Sequence, residues 1–247
     1  MHFLTRDIEI ENVVAEIYPG CRGVLLKYDS NSYKDELYTL YAISRPLAWQ
    51  GYGLARRAEY LAGRLAASLA MTEVEGALGT GQIGMNEDRS PVWPSGFAGS
   101  ISHTLGYACS LVAHADRYPL IGIDIETIMD VKTAFEVHSM IASCREMAEL
   151  ESSGLSYQES LTLLFSAKET LYKTLYPATK TFMHFSDAEL SHISRSTRCL
   201  TLTLCTSIFQ RQYQGKVFHI NYRLYKNAII TFLCMTRDKQ GSLTAAN

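Results

Sequence analysis

Six residues, IGIDIE at Ile121–Glu126, constrain this chain more than any others. The run is apolar and β-branched, which predicts a buried strand, yet it carries two carboxylates, Asp124 and Glu126. Side chains alternate across a strand, so residues two apart share one face. Burying unpaired charge is costly, so two acids on one face of such a run require a partner. A second stretch, FSAKETLYK at Phe165–Lys173, reads as a helix with Glu169 and Lys173 four residues apart on one side. Three carboxylates and a lysine on two rigid elements make a site for a hard divalent cation and a phosphate. Magnesium suits that pattern: few protein carboxylates, with water and substrate oxygens completing its shell.

The totals limit the remainder. The chain has 247 residues, 47% of them hydrophobic, enough for a substantial core in one domain or two fused halves. A formal net charge of −2 argues against a broad nucleic-acid footprint, so phosphate binding should be local. Six cysteines stand apart with no CxxC pair, the pattern of reduced thiols in a cytoplasmic protein rather than a zinc site. The N-terminal MHFLTRDIEIEN lacks the basic and apolar regions of a signal peptide, and no apolar run has membrane-spanning length.

Along the chain, Val13–Ile17 and Val24–Tyr28 read as two strands around Tyr18-Pro19-Gly20, and Asp35–Ala42 as a short helix. Tyr52–Met71 is a helix, with Leu54, Ala58, Leu61, Leu65 and Leu69 at three- and four-residue steps. Arg57 and Arg64 share one side of it; arginine's planar fork suits phosphate, and a solvated basic stripe is the plainer reading. Glu73–Arg89 is glycine-rich and loop-like, without a GxxxxGK[ST] phosphate loop. Gly99–His103 and Leu105–Ala113 predict strand, turn and strand, with His103 at a strand end. A protonated histidine can pair with a phosphate, although a lone histidine is more often structural. Polar His114–Pro119 is the expected junction between halves. Val131–Ala142 and Cys144–Leu150 predict helices, and Ser156 with Glu159 forms a capping-box pattern opening a helix that stops before Pro177. Arg198–Cys205, Lys216–Leu224 and Ala228–Met235 predict strands, with turns at Gln214-Gly215 and Lys226-Asn227, and Asp238–Asn247 a frayed polar tail.

Four segments in this order, RRAEYLAGRLAA (Arg56–Ala67), RSPVWPSGFAGSISHT (Arg89–Thr104), GIDIE (Gly122–Glu126) and FSAKETLYK, resemble the two-halved 4′-phosphopantetheinyl transferases. The resemblance implies transfer of the phosphopantetheine arm of coenzyme A to a serine of an apo acyl, peptidyl or aryl carrier protein. Adenosine 3′,5′-bisphosphate is the other product, and siderophore, non-ribosomal peptide or polyketide synthesis the setting. It implies Mg²⁺, with Mn²⁺ a substitute, on Asp124, Glu126 and Glu169; Glu169 as the group that helps remove the serine proton; and Lys173 as the cation on the leaving bisphosphate. Lys168 is implied as a diphosphate contact, His103 as a 3′-phosphate contact, Ser102 as adenosine-side and Arg57 as a phosphate contact, with Arg64 less certain and Arg45 and Arg56 further candidates. Thr170 stands where the family commonly has serine, retaining the hydroxyl.

The fold so implied is α+β, in two pseudo-symmetric halves, each a small antiparallel sheet on one long helix. The halves are expected at 1–118 and 119–237, with a tail at 238–247, in a monomer that holds coenzyme A between them. Carrier domains are expected at Met140–Met147 and Tyr172–Thr181. Two readings compete: a Mg²⁺-dependent phosphohydrolase using the same acids, and a non-catalytic module binding coenzyme A or carrier protein.

Overall fold

The computed structural model describes residues 3–7, 9–76, 81–205, 215–237 and 243–245. The chain divides into two compact units, residues 1–121 with 235–247, and residues 122–234. The fold is α+β with antiparallel sheets, and each unit carries one long helix. Among the described residues no helix is long and apolar enough to cross a membrane.

The first unit has a four-stranded sheet ordered β1-β2-β6-β5, from Leu4–Asp7 (β1), Arg22–Tyr28 (β2), Phe97–Thr104 (β5) and Tyr107–His114 (β6). Glu9–Ile17 (α1) and Leu37–Leu40 (α2) are short helices, and Gly84–Met85 (β3) pairs with Pro91–Val92 (β4). The long helix is α3, Leu54–Glu75, whose fully buried face includes Ala58, Leu61, Ala62, Ala66 and Ala70. Small side chains let it approach the sheet closely: a Cβ on Gly63 would come within 3.0 Å of Ile101 Cγ2. Ala66 and Ala70 pack with Val24, Leu26 and Val112.

Two readings from periodicity change here. Val13–Ile17, expected as a strand, lies inside α1. Val14 and Tyr18, four apart, are both fully buried, and the Tyr18 N–H donates to the Val14 carbonyl at 2.8 Å. Two adjacent valines are too short a β-branched run to override that helical spacing. The loop expected from Glu73 begins later, because α3 continues to Glu75.

The second unit contains most of Leu120–Thr127 (β7), from Gly122 on, and most of its partner Ala228–Arg237 (β11), to Cys234. Val217–Tyr225 (β10), Cys199–Leu204 (β9) and Ala188–Ser194 (β8) continue the sheet from β11, each antiparallel to its neighbour. Three helices accompany it: Val131–Ile141 (α4), Cys144–Ser152 (α5) and Tyr157–Thr179 (α6). Ser143 with Glu146 and Ser156 with Glu159 form complete capping boxes at the starts of α5 and α6. Such reciprocal bonds satisfy backbone donors that a helix start leaves open. The helix expected to stop before Pro177 runs two residues beyond it. A proline in the last turn removes one hydrogen bond while few helical residues remain to be disrupted.

Gly122 sets how closely α6 can lie against β7. A Cβ there would fall 2.1 Å from Thr174 Oγ1 and 2.3 Å from the Thr170 carbonyl. The Lys226-Asn227 turn joins β10 to β11, and Gln214 of the other expected turn lies outside the described residues. Within the expected polar tail, Leu243–Ala245 (β12) pairs with Met235–Arg237. Cys21, Cys109 and Cys234 are buried, and Cys144 and Cys205 are exposed.

Candidate active site

The acidic cluster lies wholly in the second unit. Strand alternation gives Asp124 and Glu126 one face of β7, and one turn of α6 supplies Glu169 and Lys173. Lys173 reaches off its own helix to β7: its Nζ lies 2.6 Å from Asp124 Oδ1. Asp124 is 1% exposed. Burial, the Asp124 charge and the Glu169 charge together push Glu126 up to about 8, against the opposing pull of Lys173. Burial also raises Glu169, with Lys173 pulling down and Asp124 pushing up. Two carboxyls raised by burial and by neighbouring charge, beside a lysine, are the sort of cluster that functional sites concentrate.

Behind Asp124 lies a hydroxyl network that the sequence reading missed. Ser166 Oγ donates to Asp124 Oδ2 at 2.7 Å and sits 2.9 Å from Thr231 Oγ1, which is 2.6 Å from Thr170 Oγ1. Ser166 and Thr170 stand four apart in the motif already singled out, so their shared face was legible. Thr231 is embedded in the apolar run AIITFLCM and had no such signal.

The donor chemistry fits a hard divalent cation: three carboxyl groups, Asp124 buried and Glu126 and Glu169 half-buried, with one ammonium against their charge. Among the described residues no three His, Cys, Asp or Glu side chains stand grouped for a metal ion, and Lys173 takes the place beside Asp124 Oδ1.

Lys168 goes elsewhere. In place of a phosphate contact or an exposed helix-surface pair, it is 1% exposed. Its ammonium lies 2.8 Å from Glu146 Oε1 and donates to the Ile141 carbonyl at 2.8 Å. Burial pushes Glu146 up, but hydrogen bonds from Lys168 and from the Ser143 and Leu190 backbone N–H groups outweigh it and hold the carboxyl low. Burial lowers Lys168 in turn. This ion pair ties α6 to the start of α5 and, through Leu190, to β8.

In the first unit the arginines divide. Arg56 reaches His103: its Nη1 is 2.9 Å from His103 Nε2 and 3.3 Å from Glu59 Oε2, with Glu59 also 3.9 Å from His103 Nδ1. Arg57 turns the other way, to Asp35 at 3.2 Å, with its guanidinium 3.9 Å from the centre of the Trp49 ring. Arg45 lies 4.3 Å from the same ring centre. Arg64 is buried, donating to the Gly84 carbonyl at 2.8 Å and stacked 4.7 Å over Tyr60, which is a packing role. Ser102 is buried beside His103 in β5. The structure therefore joins Arg56, not Arg57, to His103.

Residues 51–113 match the family described as 4′-phosphopantetheinyl transferase N-terminal domain, and residues 120–233 the 4′-phosphopantetheinyl transferase superfamily. The chain belongs to the 4′-phosphopantetheinyl transferase superfamily. It is 37% identical over 157 residues to enterobactin synthase component D of Salmonella typhimurium, covering 63% of each chain. It is 44% identical over 124 residues to the protein of that name from Escherichia coli, covering 50% of this chain and 57% of the relative. It is also 30% identical over 144 residues to 4′-phosphopantetheinyl transferase PptT of Mycobacterium tuberculosis, covering 58% and 61%. The chain thus spans less than two thirds of the length of these curated relatives. Within this superfamily member, Asp124, Glu126, Glu169 and Lys173 all fall in the second matched region, and Arg56, Ser102 and His103 in the first.

Proposed function

We propose that this protein is a 4′-phosphopantetheinyl transferase that moves the phosphopantetheine arm of coenzyme A to a serine hydroxyl of an apo carrier protein. The observation carrying this reading is the acidic cluster: Asp124, Glu126 and Glu169 coupled to Lys173 on a strand and a helix, in a chain of this superfamily. Asp124, Glu126 and Glu169 would hold Mg²⁺, or Mn²⁺ in its place. Bound there, the metal would neutralise diphosphate charge in a displacement at phosphorus, where positioning and charge stabilisation supply most of the catalysis.

The protein's own groups do the rest. The serine oxygen bonds to the phosphorus of the arm, and the bond to the departing adenosine 3′,5′-bisphosphate breaks. Glu169 takes the serine proton, and Lys173 balances charge on the leaving side. His103, with Arg56 beside it, takes the 3′-phosphate, and Ser102 lies on the adenosine side. The protein acts as a cytoplasmic monomer on acyl, peptidyl or aryl carrier domains, in siderophore, non-ribosomal peptide or polyketide synthesis; relatives named enterobactin synthase component D favour the first.

An apolar and basic surface favours a carrier docking on the second unit. Met140 and Phe182 are 64% exposed, and Arg145 and Lys180 are exposed basic residues. Reversing charge at Arg145 and Lys180 should raise the KM for carrier protein, and an unchanged KM removes this placement.

The main test is intact-mass spectrometry of an apo carrier protein after incubation with this protein, coenzyme A and Mg²⁺. The carrier should gain one phosphopantetheine arm, and Glu126→Ala or a chelator should abolish the gain. Release of phosphate or phosphopantetheine without an acceptor would replace this reading with a phosphohydrolase. Coenzyme A binding with no transfer to any carrier class would replace it with a binding module.

A further inference from the structure

The buried hydroxyls behind Asp124 end on its carboxylate through Ser166. Asp124, as a carboxylate, can only accept, so the single proton of Ser166 goes to Oδ2 at 2.7 Å. Ser166 Oγ must then be the acceptor in its 2.9 Å contact with Thr231 Oγ1. The Thr231 proton has three acceptors in reach: Ser166 Oγ and the Ser166 carbonyl, each at 2.9 Å, and Thr170 Oγ1 at 2.6 Å. The Thr170 proton goes to Thr231 Oγ1 at 2.6 Å or to the Thr231 carbonyl at 3.1 Å. Whichever branch the two threonine protons take, the Ser166 proton stays on Asp124 Oδ2. All three side chains are fully buried.

Helix packing alone does not require this chain. Thr162, Thr174 and Thr179 of α6 turn their hydroxyls back to their own helix, onto the carbonyls of Gln158, Thr170 and Leu175. Ser166 and Thr170 reach across to β7 and β11 instead. A buried polar network is costly unless every member is bonded, and a fully bonded one holds its members in one geometry. The member it ends on is the carboxylate that also meets Lys173.

We propose that Ser166, with Thr231 and Thr170 behind it, is a positioning residue that retains Asp124 Oδ2 and leaves Oδ1 as the oxygen offered to a cation. The inference rests on the metal reading of the acidic cluster given above. In this structure Oδ1 faces the Lys173 ammonium at 2.6 Å. A carboxylate restricted to one oxygen favours a small, octahedral ion such as Mg²⁺ or Mn²⁺. A carboxylate with both oxygens available suits Ca²⁺, which takes bidentate carboxylates and more ligands. The hydroxyl chain is thus a determinant of which divalent ion the site selects.

The test is competition binding of Mn²⁺ and Ca²⁺ to the purified full chain, followed by Mn²⁺ electron paramagnetic resonance, without coenzyme A or carrier. Ser166→Ala should weaken Mn²⁺ about 10-fold, the range seen when a group that orients a metal ligand is removed. It should weaken Ca²⁺ less, so that the Mn²⁺/Ca²⁺ preference falls. Thr231→Val keeps the side-chain shape and removes the hydroxyl, and should shift the preference the same way by a smaller factor. Thr231→Ser removes a methyl and keeps the hydroxyl; it should leave the preference at the wild-type value even if the melting temperature drops. If Ser166→Ala and Thr231→Val lower the melting temperature while the preference stays at wild type, the chain is only structural and the inference is wrong. If the wild-type protein binds neither ion, both this inference and the metal reading fall. If ion preference shifts as expected but no carrier protein is modified, the inference stands and the transferase reading fails.

Discussion

The two long helices α3 and α6 are nearly equal, 22 and 23 residues, and each is packed within its own unit, but they are buried by different chemistry. The inner face of α3 is mostly alanine, leucine and glycine, and its one buried charge, Arg64, is held by a carbonyl and an aromatic ring. The inner face of α6 adds Ser160, Thr162, Ser166, Lys168, Thr170 and Thr174 to its leucines. The first helix is positioned by size and the second by hydrogen bonds and charge. Apolar packing tolerates small shifts, whereas a polar network admits one register. The helix that carries Glu169 and Lys173 is the one set by directional bonds.

The largest effect should come from the glycine that admits α6. Gly122→Ala places a methyl against the helix backbone and should destabilise the protein by about 5 kcal/mol, at the far end of single-substitution effects. The matching change in the other unit, Gly63→Ala, meets only the end of the Ile101 side chain. Alanine's helix propensity offsets that crowding, so it should stay within about 1 kcal/mol of wild type. Urea unfolding of both variants measures the difference, and equal losses would erase the contrast between the helices.

Next is the buried ion pair. Lys168→Met leaves Glu146 buried without its cation and should cost about 3–5 kcal/mol, while Lys168→Met with Glu146→Leu should recover most of that. A full loss in both would mean that packing, not charge, holds this region.

A pH effect follows, confined to the second unit. Glu126 is raised from 4.5 to about 8 in the folded chain, so the folded state holds a proton that the unfolded state has lost between those values. The resulting stability is complete below about pH 4.5 and disappears as the pH rises through about 8. Metal-free protein should therefore melt at lower temperature as the pH climbs across that window. Glu126→Gln should flatten the slope, and Mg²⁺ should raise the melting temperature most at its alkaline end. An identical slope in Glu126→Gln would assign the dependence to other groups.

The smallest structural effect should be at Arg56. Its side chain is 38% exposed, so Arg56→Ala should change stability by less than about 1 kcal/mol. Under the transferase reading it should nevertheless raise the KM for coenzyme A more than Arg57→Ala does, because Arg56 is the arginine at His103. The reverse order would restore Arg57 to the phosphate site.

Much was legible in residue order alone. Period-two and period-3.6 patterns located β7, α3, α6 and the strands β9 to β11, and S-x-x-E marked the start of α6. The spacing of Asp124 and Glu126 determined that they share a face, and that of Glu169 and Lys173 that they share another, because both follow from backbone repeat. Where a residue's partner lies far along the chain, the repeat is silent. Lys168 and Glu169 are adjacent, and only packing decided that Lys168 turns inward to Glu146, 22 positions away, while Glu169 joins the acids. Arg56 and Arg57 are a similar case: adjacent helical residues point about 100° apart, and the sheet beside α3 decided which of them meets His103. Thr231 in an apolar strand and Gly122 in a short motif took their meaning from α6 lying against them. Local repeat determined the faces of this protein; close packing of distant segments decided what each face meets.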